Sequence, residues 1–198
     1  MRMDKDTSLR EKLQNSLNTK RYAHTLGVEE TSIALAKHYG CDQEKASLAA
    51  LLHDCAKCIS DQENLTLCLV HNVEITEVEY NNLSLLHAKA GAILAEMEYD
   101  IEDEEILHAI IVHTTGEPNM SLLDKIIYVA DYIEPGRKDA PNLECIRELA
   151  YQNIDACIAK ICQDTLSYLA TRNQPIDPGT ERTFNFYKQY MEDNRWKC

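Results

Sequence analysis

The stretch from Leu122 to Ile133 constrains this chain most. Leu123, Ile126, Ile127, Val129, Ala130 and Ile133 place apolar side chains around nearly the whole circumference of a helix, so that helix is expected to be central and buried. Asp131 lies inside it. A buried carboxylate must be paired or bind a metal, because leaving it bare costs on the order of several kcal/mol. The pattern stops at Glu134-Pro135-Gly136, and Arg137 follows with a guanidinium fork suited to phosphate.

Around this segment almost every stretch reads with a helical period and none alternates as a strand would, which predicts an all-α single domain. Leu9, Leu13 and Leu17 space out a short first helix. Thr19 is expected to cap a second helix that carries His24 and closes at Tyr39-Gly40. Asp42 caps a third, which ends in His53-Asp54. Ser60 to Asn82 is patchier. Leu83 to Glu98 reads as one helix with His87 near its start, followed by small residues from Ala88 to Ala92. The next helix begins at the acidic run Glu102 to Glu105 and ends at His113-Thr114-Thr115-Gly116. His108 and His113 fall on different faces of it, so they are not expected to share a ligand. After the central helix come two more, about Asn142 to Tyr151 and Asp155 to Arg172. A turn over Asn173 to Gly179 and a last helix with Phe184, Tyr187 and Met191 complete the pattern.

With 198 residues the chain suffices for one sizeable core, spanning 1–198. A formal net charge of -13 argues against nucleic-acid polymers and anionic membranes as partners, since both require clustered cations. A small phosphorylated ligand remains compatible, because a metal and a few local cations override the global sign. The charged N-terminus lacks a signal-type apolar core and no run could span a bilayer, so the expected location is cytoplasmic. The eight Cys (41, 55, 58, 68, 145, 157, 162 and 198) are scattered as small apolar residues would be in a reducing compartment. Cys55 and Cys58 form a CxxC with no second pair to complete a zinc site.

His24, His53, Asp54 and Asp131 make a mixed nitrogen and oxygen donor set suited to a first-row divalent ion. Four protein ligands leave an octahedral ion two open positions, for a water and a substrate oxygen. Such an ion lowers the pKa of the water and polarises a phosphoryl group. Lys57, three residues after Asp54 and four after His53, is placed by that spacing on the same face as both and is a candidate to meet an anion there. His87, His113 and Arg137 are further candidates for phosphate, for general acid chemistry or, with Asp54, for a second ion.

The order His24, Leu52-His53-Asp54, Asp131 resembles the H…HD…D pattern of the HD superfamily of metal-dependent phosphohydrolases. More specifically, Arg21-Tyr22-Ala23-His24-Thr25-Leu26-Gly27-Val28, His53-Asp54-Cys55-Ala56-Lys57, His87-Ala88, His113-Thr114-Thr115-Gly116 and the stretch Ile127 to Arg137 resemble the YqeK family, over about residues 8–188. The resemblance implies an HD-domain helical bundle, with a core of about 18–138 and C-terminal helices over 139–198 completing the nucleotide pocket. It also implies symmetrical hydrolysis of diadenosine tetraphosphate to two ADP. The metal would be iron, with manganese, cobalt or zinc as alternatives, held by His24, His53, Asp54 and Asp131. Lys57, His87, His113, Thr114 and Arg137 fall at phosphate-contacting positions beside an ADP- or GDP-like product, and His24, Asp54 and Asp131 face the same ligand. The turn Gln174, Pro175, Ile176, Asp177, Pro178, Gly179 matches a segment covering the nucleoside. Two positions depart from the family pattern: Cys55 replaces an aromatic residue, and His108 is left outside the site.

Two other readings use the same residues: an HD enzyme acting on a mononucleotide or alarmone, and a non-catalytic nucleotide sensor. An open metal position favours an enzyme over a sensor. The small-residue helix after His87 and the aromatic C-terminal helix are candidate faces for a homodimer.

Overall fold

The computed structural model describes residues 2–172 and 176–191, with side chains from residue 7 onward. Among these, all regular structure is helical. The helices are α1 (Arg2–Ser16), α2 (Thr19–Tyr39), α3 (Gln43–Leu52), α4 (Asp61–Val70), α5 (Glu77–Asn81), α6 (His87–Tyr99), α7 (Glu104–Val112), α8 (Leu122–Ile133), α9 (Leu143–Gln152), α10 (Ile154–Thr171) and α11 (Pro178–Tyr187), with short 3-10 turns at Leu83–Leu86 and Lys188–Met191.

Helix α8 occupies the centre, packed by α2, α3, α7, α9 and α10. Its residues Ile126, Ile127, Val129 and Ala130 have no exposure and join Val28, Leu35, Leu51, Leu52, Ile110 and Ile158 in one core. Truncating one of these Leu or Ile side chains to Ala costs about 2–5 kcal/mol. A smaller cluster of Leu65, Cys68, Leu86, Ala90 and Ile93 seats α4 on α6. Arg10 and Ser47 both donate to Glu29, tying α1 and α3 to α2. Among the described residues no helix is long and apolar enough to cross a membrane.

Local signals set most helix ends. Asp42 accepts from the Glu44 and Lys45 amides at the start of α3, and Gly40 closes α2 at φ 74°. Ser121 and Asp124 form a capping box on α8. Several expectations are corrected. The cap of α2 is Asn18, whose carboxamide accepts from the Arg21 amide, so Thr19 is the first helical residue. The segment 83–98 is a 3-10 turn followed by α6, and the break falls just before His87. Asp131 is not sealed in the core: its side chain is 26% exposed. The small residues of α6 are buried within the chain, where Gly91 lets the Ile110 side chain and the His53 carbonyl approach closely, and Tyr187 of α11 is fully buried. The α6 set therefore packs inward, whereas Phe184 and Phe186 of α11 stay half-buried. Gln174 and Pro175 lie outside the described residues. Pro178 and Gly179 are the first turn of α11 rather than a loop, with Asp177 as its cap.

Candidate active site

Helix α3 ends at Leu52, and residues 53–58 turn back on themselves through Cys55 N to Leu52 O and Lys57 N to Asp54 O hydrogen bonds. The turn, rather than a helix face, points both His53 and Asp54 at one place. Lys57 accordingly leaves the register expected of it and lies with its ammonium 3.1 Å from His87 Nδ1.

Four imidazoles converge around Asp54, and each is held from behind. Nδ1 of His53 donates to the Ala50 carbonyl at 2.6 Å, that of His87 to Ser84 at 2.7 Å, and that of His113 to Ile110 at 2.6 Å. Nδ1 of His24 faces the Glu134 carboxylate at 3.2 Å. These partners can only accept, so each Nδ1 carries a proton, and in the neutral ring Nε2 is the nitrogen left for a metal. Anchoring of this kind orients imidazoles toward a metal and raises their basicity.

The Nε2 atoms face two carboxylates. His24 Nε2 lies 3.0 Å from Asp131 Oδ1 and 3.9 Å from Asp54 Oδ2, while His53 Nε2 lies 3.4 Å from Asp54 Oδ2 and 3.9 Å from Asp131 Oδ1. Both Nε2 atoms are buried and form no aligned hydrogen bond, the state expected of nitrogens placed for a cation. Two overlapping groups, His24–His53–Asp131 and His53–Asp54–His113, bring their donor atoms within 4.8 Å of one another. On the other oxygen of Asp54, His87 Nε2 and His113 Nε2 stand at 3.4 and 3.6 Å, and 3.3 Å from each other. Thr114 Oγ1 is 3.3 and 3.1 Å from these two nitrogens.

Burial pushes the Asp131 and Asp54 carboxyls up. The neighbouring imidazoles outweigh it, with His24 and His53 foremost at Asp131 and His53 and His113 at Asp54, so both are held below the usual carboxylate range. Burial lowers the Lys57 ammonium. His87 is driven to about 3, by burial first and then by His113 and Lys57, which keeps it neutral and able to donate its lone pair. Two anions and four imidazole nitrogens in one buried pocket fit a hard or borderline divalent cation.

Each acid also holds an arginine at the cleft edge. Arg21 Nη1 donates to Asp54 Oδ2 at 2.5 Å, and Arg137 Nη2 donates to the Asp131 carboxylate at 3.1 Å and its carbonyl at 2.8 Å. The cleft beside them encloses about 1040 Å³ between α2, the 134–141 segment and α10.

Residues His24, His53, Asp54, Lys57, His87, His113, Thr114, Asp131 and Arg137 are thus brought together. Ile176 and Asp177 stand apart from these contacts. Gly179 places its Cα side against Thr115, next to Thr114. His108 stays outside, bridging Asp124 and Glu117. Cys55 is buried and donates to the Gly91 carbonyl, whereas Cys58 is exposed, so the CxxC does not act as a pair.

Four contributors were not assigned from sequence. Arg21 and Glu134 lie within the quoted motifs, as does Gly27, where a β-carbon would stand 2.6 Å from Glu134 Oε2. Arg147 carries no motif; it donates to the carbonyls of Ile133, Glu134 and Arg137 and so fixes the loop that presents Arg137.

Comparison with known proteins agrees with this geometry. The HD domain family matches residues 21–136. A Halalkalibacterium halodurans protein named bis(5'-nucleosyl)-tetraphosphatase, symmetrical, is 45% identical over 169 residues, covering 85% of this chain and 89% of that protein. A Bacillus subtilis protein of the same name is 38% identical, covering 88% and 92%. The crystal structure of a protein described as a predicted HD superfamily hydrolase involved in NAD metabolism, from Clostridium acetobutylicum, superposes with a TM-score of 0.90 at 38% identity, over 93% of this chain and 97% of that one.

Proposed function

The chain belongs to the HD-domain family and, within it, to the YqeK-like symmetrical bis(5'-nucleosyl)-tetraphosphatases, and from that premise we propose that it hydrolyses diadenosine tetraphosphate to two ADP. The observation that carries the reading is the set of imidazole lone pairs and two ionised carboxylates, flanked by Arg21, Arg137 and Lys57.

In this reading His24, His53, Asp54 and Asp131 hold a divalent ion, iron by family resemblance, with manganese, cobalt or zinc as substitutes. When bound, the ion supplies Lewis acidity toward water and the phosphoryl group. Arg137 and Lys57 neutralise charge on the phosphates, which is most of what phosphoryl transfer asks of a protein. His87 and His113, beside Thr114, stand where a second ion can sit with Asp54 or, once Nε2 carries a proton, where that proton can pass to the departing phosphate. Ile176 to Gly179, with Gln174 and Pro175, cover one nucleoside, and residues 139–198 complete the pocket around the 18–138 core. The cytoplasm is the matching location for such a substrate. A homodimer would draw on the outer side of α11 rather than on the buried small residues of α6.

Incubating anaerobically purified, iron- or manganese-loaded protein with diadenosine tetraphosphate and resolving products by ion exchange tests the reading. ADP as the sole early product supports it. AMP with ATP would show attack off the centre of the phosphate chain, and no turnover with tight ADP binding would favour the sensor.

A further inference from the structure

The substrate of the proposed reaction has two identical ends, and cutting it at the middle requires room for a nucleoside diphosphate on each side of the reacting phosphorus. The segment assigned to one nucleoside, 176–179, reaches the site beside Thr115. Among the described residues none of that segment lines the cleft of about 1040 Å³. The cleft starts at Arg21, His24 and Arg137, runs past Lys138 and Pro141, and ends against Asp164 and Tyr168. There it adjoins a further cavity of about 510 Å³ that shares Lys138, Pro141, Asp164 and Tyr168 and extends to Thr171.

We propose that this cleft binds the second nucleoside diphosphate half of the dinucleotide, with Arg21 on its phosphates and Tyr168 against its base. The proposal rests on the hydrolase reading above.

Three features of the cleft support this occupant. Its volume stands at the top of the roughly 300–1,000 Å³ range typical of small-molecule pockets, ample for one nucleotide half. Its charge departs from the chain's net -13: Lys20, Arg21, Arg137 and Lys138 line it against four carboxylates. Two of those acids are already engaged, Glu134 by His24 and the Gly136 amide, Asp164 by Lys160 and Asn142. The gradient also has a direction. Arg21 and Arg137 sit at the metal-competent end, where phosphates must lie, and Tyr168 sits at the far end beside Lys138, where the base must lie. Tyr168 is 51% exposed in a chain that buries most of its large side chains, and Arg172 steadies its ring from 4.9 Å. Asp164 keeps a second lone pair on each oxygen, an acceptor for the exocyclic amino group of a purine.

The test is ADP stoichiometry on manganese-loaded protein by equilibrium dialysis, with KM for diadenosine tetraphosphate measured in parallel. Wild type and Tyr168→Phe, which keeps the ring, are expected to bind two ADP per chain, and Tyr168→Ala one. KM should rise roughly tenfold in the alanine variant, the effect of losing one stacked base, by more than kcat falls, and ADP should remain the product. One ADP per wild-type chain, or two retained by Tyr168→Ala with an unchanged KM, would overturn the cleft as a half-site. Two ADP bound by wild type that fails to cut the dinucleotide would sink the hydrolase reading and leave the nucleotide site standing.

Discussion

Gly27 and Glu134, 107 residues apart, are packed so closely that a β-carbon on Gly27 would stand 2.6 Å from Glu134 Oε2. Glu134 in turn faces Nδ1 of His24 and accepts from the Gly136 amide. The absence of a side chain at one helical position therefore decides which nitrogen His24 offers to the site. Gly27→Ala should favour α2 by up to about 1 kcal/mol on propensity alone. It should nevertheless weaken metal binding about 10- to 100-fold by displacing Glu134. Competition with a chelator measures this, and an undiminished affinity would remove Glu134 from the support of His24.

Asp54 is shared by four imidazoles and Arg21. Asp54→Ala should abolish both metal content and turnover while far-UV circular dichroism stays helical, because the side chain contributes no apolar packing. Metal analysis and product chromatography on the same sample decide it; retained hydrolysis excludes Asp54 from the chemistry.

Arg147 touches no side chain of the site, yet three carbonyls of the 133–137 loop depend on it. Arg147→Met keeps the apolar stem and removes the donors. ADP affinity should fall several-fold, about the worth of one or two lost hydrogen bonds at a distance, with metal content retained. Loss of the metal instead would mean that the loop supports Asp131 more than Arg137.

The neutral state of His87 makes metal-free protein sensitive to acid. Its folded pKa of about 3 lies below the unfolded value of ~6.5, so between those values the unfolded chain binds the extra proton. The stability tied to His87 is complete above ~6.5 and is lost as pH falls toward 3, at up to about 1.4 kcal/mol per pH unit. Thermal melting of chelator-treated protein should therefore drop from pH 7.5 to pH 5, with a shallower slope in His87→Gln. Parallel profiles for the two proteins would assign the acid sensitivity elsewhere.

Much of the site was legible in the residues. His24, His53-Asp54, His87, His113 and Asp131 are chemically conspicuous, and the motifs around them are long. Gln174 and Pro175 lie outside the described residues, so that part of the reading stays with the resemblance. Lys57 does not follow the helix register that its spacing suggests: a turn delivers its ammonium to His87.

By itself the sequence determined what acts over three or four residues: the helical period, the Asp42 and Ser121 caps, the αL closure at Gly40 and the central place of α8. Such features are local because a helical hydrogen bond or a capping bond spans one turn. Only the tertiary structure decided which acid faces which imidazole, that Asp131 is partly exposed, that Glu134 stands behind His24 across 110 positions, and that Arg21 and Arg137 rest on different carboxylates. Those pairings are set by how α2, α3, α7 and α8 pack around a shared core. Their energies depend on burial and on distances of a few ångströms, which no spacing along the chain encodes.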